Sequence, residues 1–140
     1  MLDLTQQFRQ FLAREREAVA NAYVGGDTGP LEKIAARQEP VSLFAPGGGT
    51  VQGLAPVAEA DAKGAMPFRP GGASRLEILH AQASGELAYW VGLQHALVQL
   101  RDRPSQTEMT LRVSEIFRRE DGAWKLVHRH ADLLAEPTGK

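Results

Sequence analysis

Four β-type runs follow one another from Arg75 to Leu134 with almost no room between them, and this limits the fold more than any other feature. Arg75 to Ala83, Glu86 to Leu100, Thr107 to Arg119 and Trp124 to Leu134 are rich in β-branched, aromatic and leucine side chains. The breaks are Ser84-Gly85, Arg101 to Gln106 and Glu120-Asp121-Gly122-Ala123, all turn chemistry. A parallel crossover needs about a dozen residues or more, so each run must lie antiparallel to the next. The result is a meander, and the segments before it must cover one of its faces.

Those segments read mainly as helices. From Asp3 to Val24 the residues Leu4, Phe8, Phe11, Leu12, Val19, Ala22 and Tyr23 recur at helical spacing, with Arg14, Glu15, Arg16 and Glu17 between them. One amphipathic helix is predicted there, stopped by Gly25-Gly26. A short helix from Pro30 to about Arg37 turns Leu31, Ile34 and Ala35 inward. Val41 to Ala45 reads as a strand that turns through Pro46-Gly47-Gly48-Gly49 into Thr50 to Gly53. Ala55 to Met66 reads as a third helix with Glu59, Asp61 and Lys63 on its polar side, ended by Pro67, Pro70, Gly71 and Gly72. This order predicts an α+β fold with helices on one face of a curved antiparallel sheet.

Composition narrows the function. A chain of 140 residues buries about two-thirds of its unfolded surface, so one domain over residues 1–140 is expected to hold a core unaided. It must, because there is no cysteine, which removes disulfides and thiolate chemistry. With Lys+Arg 16 against Asp+Glu 17, no basic excess exists to neutralise nucleic acid or an acidic membrane surface. Asp3 stands where a signal peptide is basic, and no run nears the roughly 18 apolar residues of a span, so a cytoplasmic protein is expected. Gly47-Gly48-Gly49 lacks the Lys-Ser/Thr pair of a phosphate loop.

Alternate residues of a strand share a face, so each row can be read separately. In the third run Met109, Leu111, Val113, Glu115 and Phe117 form a core row that contains a carboxylate. In the second, Leu87, Tyr89, Val91, Leu93, His95 and Leu97 form the bulkier row, which is expected to face the helices and bring Tyr89 and His95 beside Glu115. Both rows of that run are apolar, which suggests that the outer face meets a second subunit. The last run has two registers. A two-residue Asp121-Gly122 turn sets Trp124, Leu126, His128 and His130 on the side of Glu115, and a bulged turn sets Val127, Arg129, Ala131 and Leu133 there.

The layout, the string from Ile116 to His130 and Gly25-Gly26-Asp27 resemble the SnoaL-like and ketosteroid-isomerase-like families of the nuclear transport factor 2-like superfamily, with relatives in the association domain of calcium/calmodulin-dependent kinase II. The resemblance implies a cone-shaped sheet wrapped round a pocket that the first helices roof, with pairing through the outer sheet face. It carries over unevenly. The isomerase base would fall near Phe44 or Ala45, where there is no carboxylate, and Tyr23 sits one turn from the expected helix tyrosine. Glu115 alone matches, at the position of the protonated acid, which argues against steroid isomerisation. The resemblance also favours the bulged register, with Arg129 and Ala131 facing the pocket.

The expected function is binding of a small, partly apolar organic ligand, with acid-base isomerisation, cyclisation or hydration as the chemistry and no cofactor. Glu115 and His95 are the candidate catalytic groups; Tyr23, Phe44, Tyr89, Phe117 and Arg129 are the candidate ligand contacts, with Met66 and Phe68 as further lining. Glu115 reads either as an acid whose pKa burial raises or as a carboxylate held by Arg129 or His95. His128, His130 and Asp132 alternate as metal ligands can, but no second histidine pair supports them, so no metal is expected. A homodimer through the outer face is the expected assembly. The competing reading is an oligomerisation or scaffold domain without chemistry.

Overall fold

The computed structural model describes residues 1–135. Asp3 opens α1 (Leu4–Phe11) with a capping box, accepting from Gln6 N while its own N–H donates to the Gln6 side chain. The helical path then widens into a π segment, Leu12–Arg16, before α2 (Glu17–Tyr23). Steps of four residues drift round an α-helix, and the wider turn removes that drift. Phe8, Leu12 and Arg16 therefore line up against the sheet, and all three are buried. Arg16, expected among the polar residues between apolar positions, is a core residue.

After α3 (Gly29–Ile34) come β1 (Ser42–Phe44), β2 (Thr50–Gln52) and α4 (Leu54–Ala65), then the long strands β3 (Phe68–Ser84), β4 (Leu87–Leu100), β5 (Thr107–Glu120) and β6 (Ala123–Leu133). The sheet is open and six-stranded, in the order β2-β1-β6-β5-β4-β3. The meander is antiparallel as expected, but β1 lies parallel to β6, so the sheet is mixed. β3 also starts earlier than expected, running through Gly71-Gly72, because a Cβ on Gly72 would lie 2.1 Å from the Leu97 carbonyl oxygen. Gly72 serves the close approach of two strands and Gly71 a backbone at φ 128°, and neither is a helix stop. Among the described residues no helix is long and apolar enough to cross a membrane.

The helices cover the inner face. Phe8 packs edge-on against Phe117 and Trp124, with ring centroids 5.3 and 5.4 Å away, and all three are buried. The same helices close the free edge of β3: Thr5 Oγ1, Glu17 Oε2 and Asn21 Oδ1 accept from the backbone N–H groups of Ala83, Leu76 and Ser74. A long edge strand is thereby blocked from pairing with another chain.

The core row of β5 is as expected. The row of β4 is the reverse of the expectation: Ala88, Trp90, Gly92, Gln94, Ala96 and Val98 are buried on the inner face, and Tyr89, His95 and their neighbours face outward. Gly92 is the tightest position of that row, since a Cβ there would lie 2.0 Å from the Glu77 carbonyl oxygen of β3, beside the register shift between Ile78 and His80. In β6 each proposed register governs one half. Asp121 and Gly122 make a two-residue turn with φ 52° and 79°, which sets Trp124 and Leu126 on the side of Phe117. A bulge at Val127 then shifts the register, so that Arg129 lies opposite Glu115 and Ala131 opposite Val113.

Candidate functional site

Glu115 is fully buried, and four donors converge on its carboxylate. Arg16 donates through Nε to Oε1 at 2.9 Å and through Nη2 to Oε2 at 2.7 Å. Trp90 Nε1 reaches Oε1 at 2.8 Å, and Arg129 Nη1 reaches Oε2 at 2.7 Å. Arg129 also donates from Nη2 to Gln94 Oε1 at 2.9 Å, and Gln94 donates in turn to Ser74 Oγ. Burial alone would push the Glu115 carboxyl up, but the Arg16 guanidinium and then Arg129 outweigh it and hold the pKa at about 2. An ionised carboxylate with its acceptor positions filled cannot shuttle protons. Of the two readings of Glu115, the acid with a raised pKa is corrected, and the carboxylate held by Arg129 is what the structure has, with Arg16 and not His95 as its second partner; Glu115 is the post on which two arginines are oriented.

Those arginines line a cavity of about 770 Å³ between the sheet and the helices. Its floor includes Gln94, Leu111 and Arg129, its wall Val19, Ala20 and Tyr23, and its roof α4, which turns Leu54, Val57, Ala58, Asp61 and Gly64 toward it. The expectation that the first helices make the roof is therefore incomplete. Its lining is mostly apolar, with a few polar groups from Arg16, Tyr23, Asp61, Gln94 and Arg129.

Asp61 is the odd member of the α4 stripe. Among the described residues none donates a hydrogen bond to its carboxylate, whereas its backbone carbonyl accepts from Tyr23 Oη at 2.9 Å. Burial pushes the Asp61 carboxyl up to about 6, with Arg129 and Arg16 pulling it back. Burial and the nearby Asp61 raise the Tyr23 phenol to about 12, so it remains a donor. The close approach of Tyr23 to α4 requires Gly64, where a Cβ would lie 2.4 Å from the hydroxyl oxygen.

Of the residues singled out from sequence, Tyr23 and Arg129 line the cavity, as does Phe68. Glu115 stands behind Arg129. Phe117 is sealed in the core between Phe8 and Phe11 and does not line the cavity. His95 and Tyr89 lie on the outer face, where His95 meets Glu77 Oε1 at 2.8 Å and Tyr89 meets His80. Phe44 also faces outward, its ring edge-on to His128 and His130, and Met66 is exposed. Neither His95, Tyr89 nor Phe44 can reach a ligand in the cavity, because the pleat that buries Gln94, Trp90 and Leu43 directs their neighbours away. Asp132 is held by Arg112 at 2.6 and 2.7 Å, His128 by Ser42, and among the described residues no three His, Cys, Asp or Glu side chains gather round a metal site.

Sequence reasoning missed Arg16 and Asp61. The signal for Asp61 was present: Leu54, Val57, Ala58, Asp61 and Gly64 recur at steps of three and four, so the acid belongs to the inner stripe of its helix. Arg16 gave no such signal, because its placement depends on the π segment.

Residues 16–136 match the family model of the SnoaL-like domain. No curated protein matches the chain. Among solved structures, a candidate dehydratase of the NTF2-like family from Streptomyces avermitilis has a TM-score of 0.74 at 18% identity, covering 94% of this chain and 99% of that one. An NTF2-like superfamily protein from Salmonella enterica scores 0.75 at 16% identity, covering 96% and 94%. The CaMKII hub of S. rosetta scores 0.69 at 16% identity, covering 96% and 99%. At these identities the likeness is one of fold.

Proposed function

As the chain belongs to the SnoaL-like family, we propose that it binds a small, partly apolar organic molecule beneath α4 and moves a proton on it through Asp61. The observation that carries this reading is a carboxyl group without a donor, facing an apolar cavity, with its pKa raised to about 6. A group of that strength is divided between acid and base near neutral pH, as proton transfer in both directions requires. Asp61 takes the acid-base role first expected of Glu115 and His95. Arg129 and Gln94 supply polar contacts from the floor, Tyr23 fixes the α4 backbone that carries Asp61, and Glu115 positions both arginines. The reactions that fit are isomerisation, cyclisation, and addition or loss of water next to a carbonyl.

The test is deuterium incorporation from heavy water at the carbon beside the carbonyl of a panel of cyclic ketones, read by mass spectrometry. The native protein should accelerate exchange with a rate that rises through about pH 6 and levels off, and Asp61→Asn should lose it about 100-fold or more. Exchange that survives Asp61→Asn at the native rate would overturn the reading.

The outer face supports self-association as a second property. Leu87, Leu97 and Ile116 are each more than a third exposed there, beside half-buried Tyr89, Val91 and Leu93. Pairing of two copies through this row leaves the cavity open on the other side of the sheet, so the dimer and the pocket are compatible. Sedimentation equilibrium distinguishes a dimer from a monomer.

A further inference from the structure

The cavity holds guanidinium N–H donors that no acceptor among the described residues answers, and these donors describe a ligand. Arg16 and Arg129 bring two positive charges, and Glu115 answers one of them with every acceptor position it has. Arg16 spends Nε and Nη2 on that carboxylate, and among the described residues Nη1 has no partner. Its side chain is only 5% exposed, yet the residue lines the cavity. Arg119 Nε is the single side-chain polar atom among the described residues that is both sealed off and unpartnered, so Arg16 Nη1 opens onto the cavity. Asp61 supplies the missing negative charge but forms no hydrogen bond or ion pair with either guanidinium. Glu32 and Arg37, the other charged residues of the lining, are opposite in sign and cancel.

We infer that the cavity takes an organic monoanion, a carboxylate on an apolar body, with its head on Arg16 Nη1 and Arg129 and its body along the apolar wall and roof. This deepens the proposed function by naming its ligand class, and it rests on the same cavity being a binding site. A buried guanidinium with free N–H donors gains most from a charged acceptor. The anion arrives next to Asp61, so binding and ionisation of Asp61 oppose one another. Arg16 from the π segment, Arg129 from β6 and Glu115 from β5 face Asp61 as fixed charges, and Tyr23 from α2 stays neutral. Binding therefore draws a proton onto Asp61 and weakens as the pH rises through the range where Asp61 ionises.

The experiment uses 2-naphthylacetate and 2-naphthylacetamide, a pair alike in shape that differ in charge, measured by calorimetry and naphthyl fluorescence on the full chain. The acid should bind about tenfold or more tightly than the amide at pH 7, because a charge-assisted bond replaces a neutral one. Its Kd should rise by about fivefold or more between pH 5.5 and 8, a range in which its own carboxyl stays ionised. Calorimetry in two buffers of different ionisation heat should show net proton uptake. Asp61→Asn should bind the acid more tightly than the native protein and lose both the pH dependence and the uptake. If that variant fails to fold, the pH dependence and proton uptake of the native protein decide alone. Equal or tighter binding of the amide would overturn the anion class and leave the cavity standing as a binding site. Failure of both probes to bind would overturn the inference together with the reading on which it rests.

Discussion

Replacing Glu115 with glutamine removes one charge and tests the buried cluster as a whole. Two of the four donors now meet an NH₂ group, and the buried Arg16 and half-buried Arg129 guanidiniums lose their shared counter-ion. Breaking a buried pair in this way costs about 3–5 kcal/mol. The lowered Glu115 pKa gives a second figure: about 2, against an ordinary 4.5, corresponds to about 3 kcal/mol. The unfolded chain binds the proton more readily than the folded one between these values, so this stabilisation is complete above about pH 4.5 and lost as the pH falls toward 2. Urea unfolding at pH 7 should therefore show Glu115→Gln destabilised by about 3 kcal/mol, with a melting point lower by roughly 10–15 °C for a chain of this size. The difference between the two proteins should shrink in acid, because glutamine does not titrate. A variant within about 1 kcal/mol of the native protein at pH 7, or a difference that does not narrow below pH 4.5, would mean that the Glu115 charge does not hold the cluster together.

Other consequences are as direct. Asp61→Asn works in the opposite direction: the folded carboxyl holds its proton up to about pH 6, so ionisation costs stability as the pH rises through that window. Above it the variant should be the more stable by about 1–2 kcal/mol, allowing for solvent in the cavity, and equal melting points at pH 8 would contradict this. Gly92→Ala should cost about 2–3 kcal/mol in urea unfolding, because the new methyl meets the backbone of β3 and not a movable side chain. Glu17→Ala leaves the Leu76 N–H unanswered and should cost about 1–2 kcal/mol, with concentration-dependent association as the β3 edge opens. Ile116→Asp should shift the sedimentation mass toward the monomer without lowering the melting temperature; an unchanged mass would place any association elsewhere.

How much of this was legible in the sequence depends on the physical signal each residue carried. Short turns after Ser74 dictated the antiparallel meander, and an isolated carboxylate in an apolar row marked Glu115 as buried. Bulk misled in β4, where Leu87, Tyr89, Val91, Leu93 and Leu97 lie outside while Trp90 and Gln94 lie inside among alanine and glycine, so the summed size of a row did not mark its face. In β6 neither turn register was sufficient, since the bulge that changes the face occurs at Val127, within the strand. Arg16 was hidden by a local widening of the helix, which no periodicity announces. Asp61 was legible from its spacing, but a helix rich in alanine offers little contrast between its faces.

Titration of the Asp61 side chain itself, followed by carbon NMR of carboxyl-labelled aspartate and assigned by its absence in Asp61→Asn, decides whether the cavity holds a proton-transfer group. A carboxyl facing an apolar cavity without a donor should show a midpoint near pH 6. A midpoint at the ordinary 3.8 or below would mean that Asp61 is solvated or paired, and the account of this cavity as a proton-transfer site would be wrong.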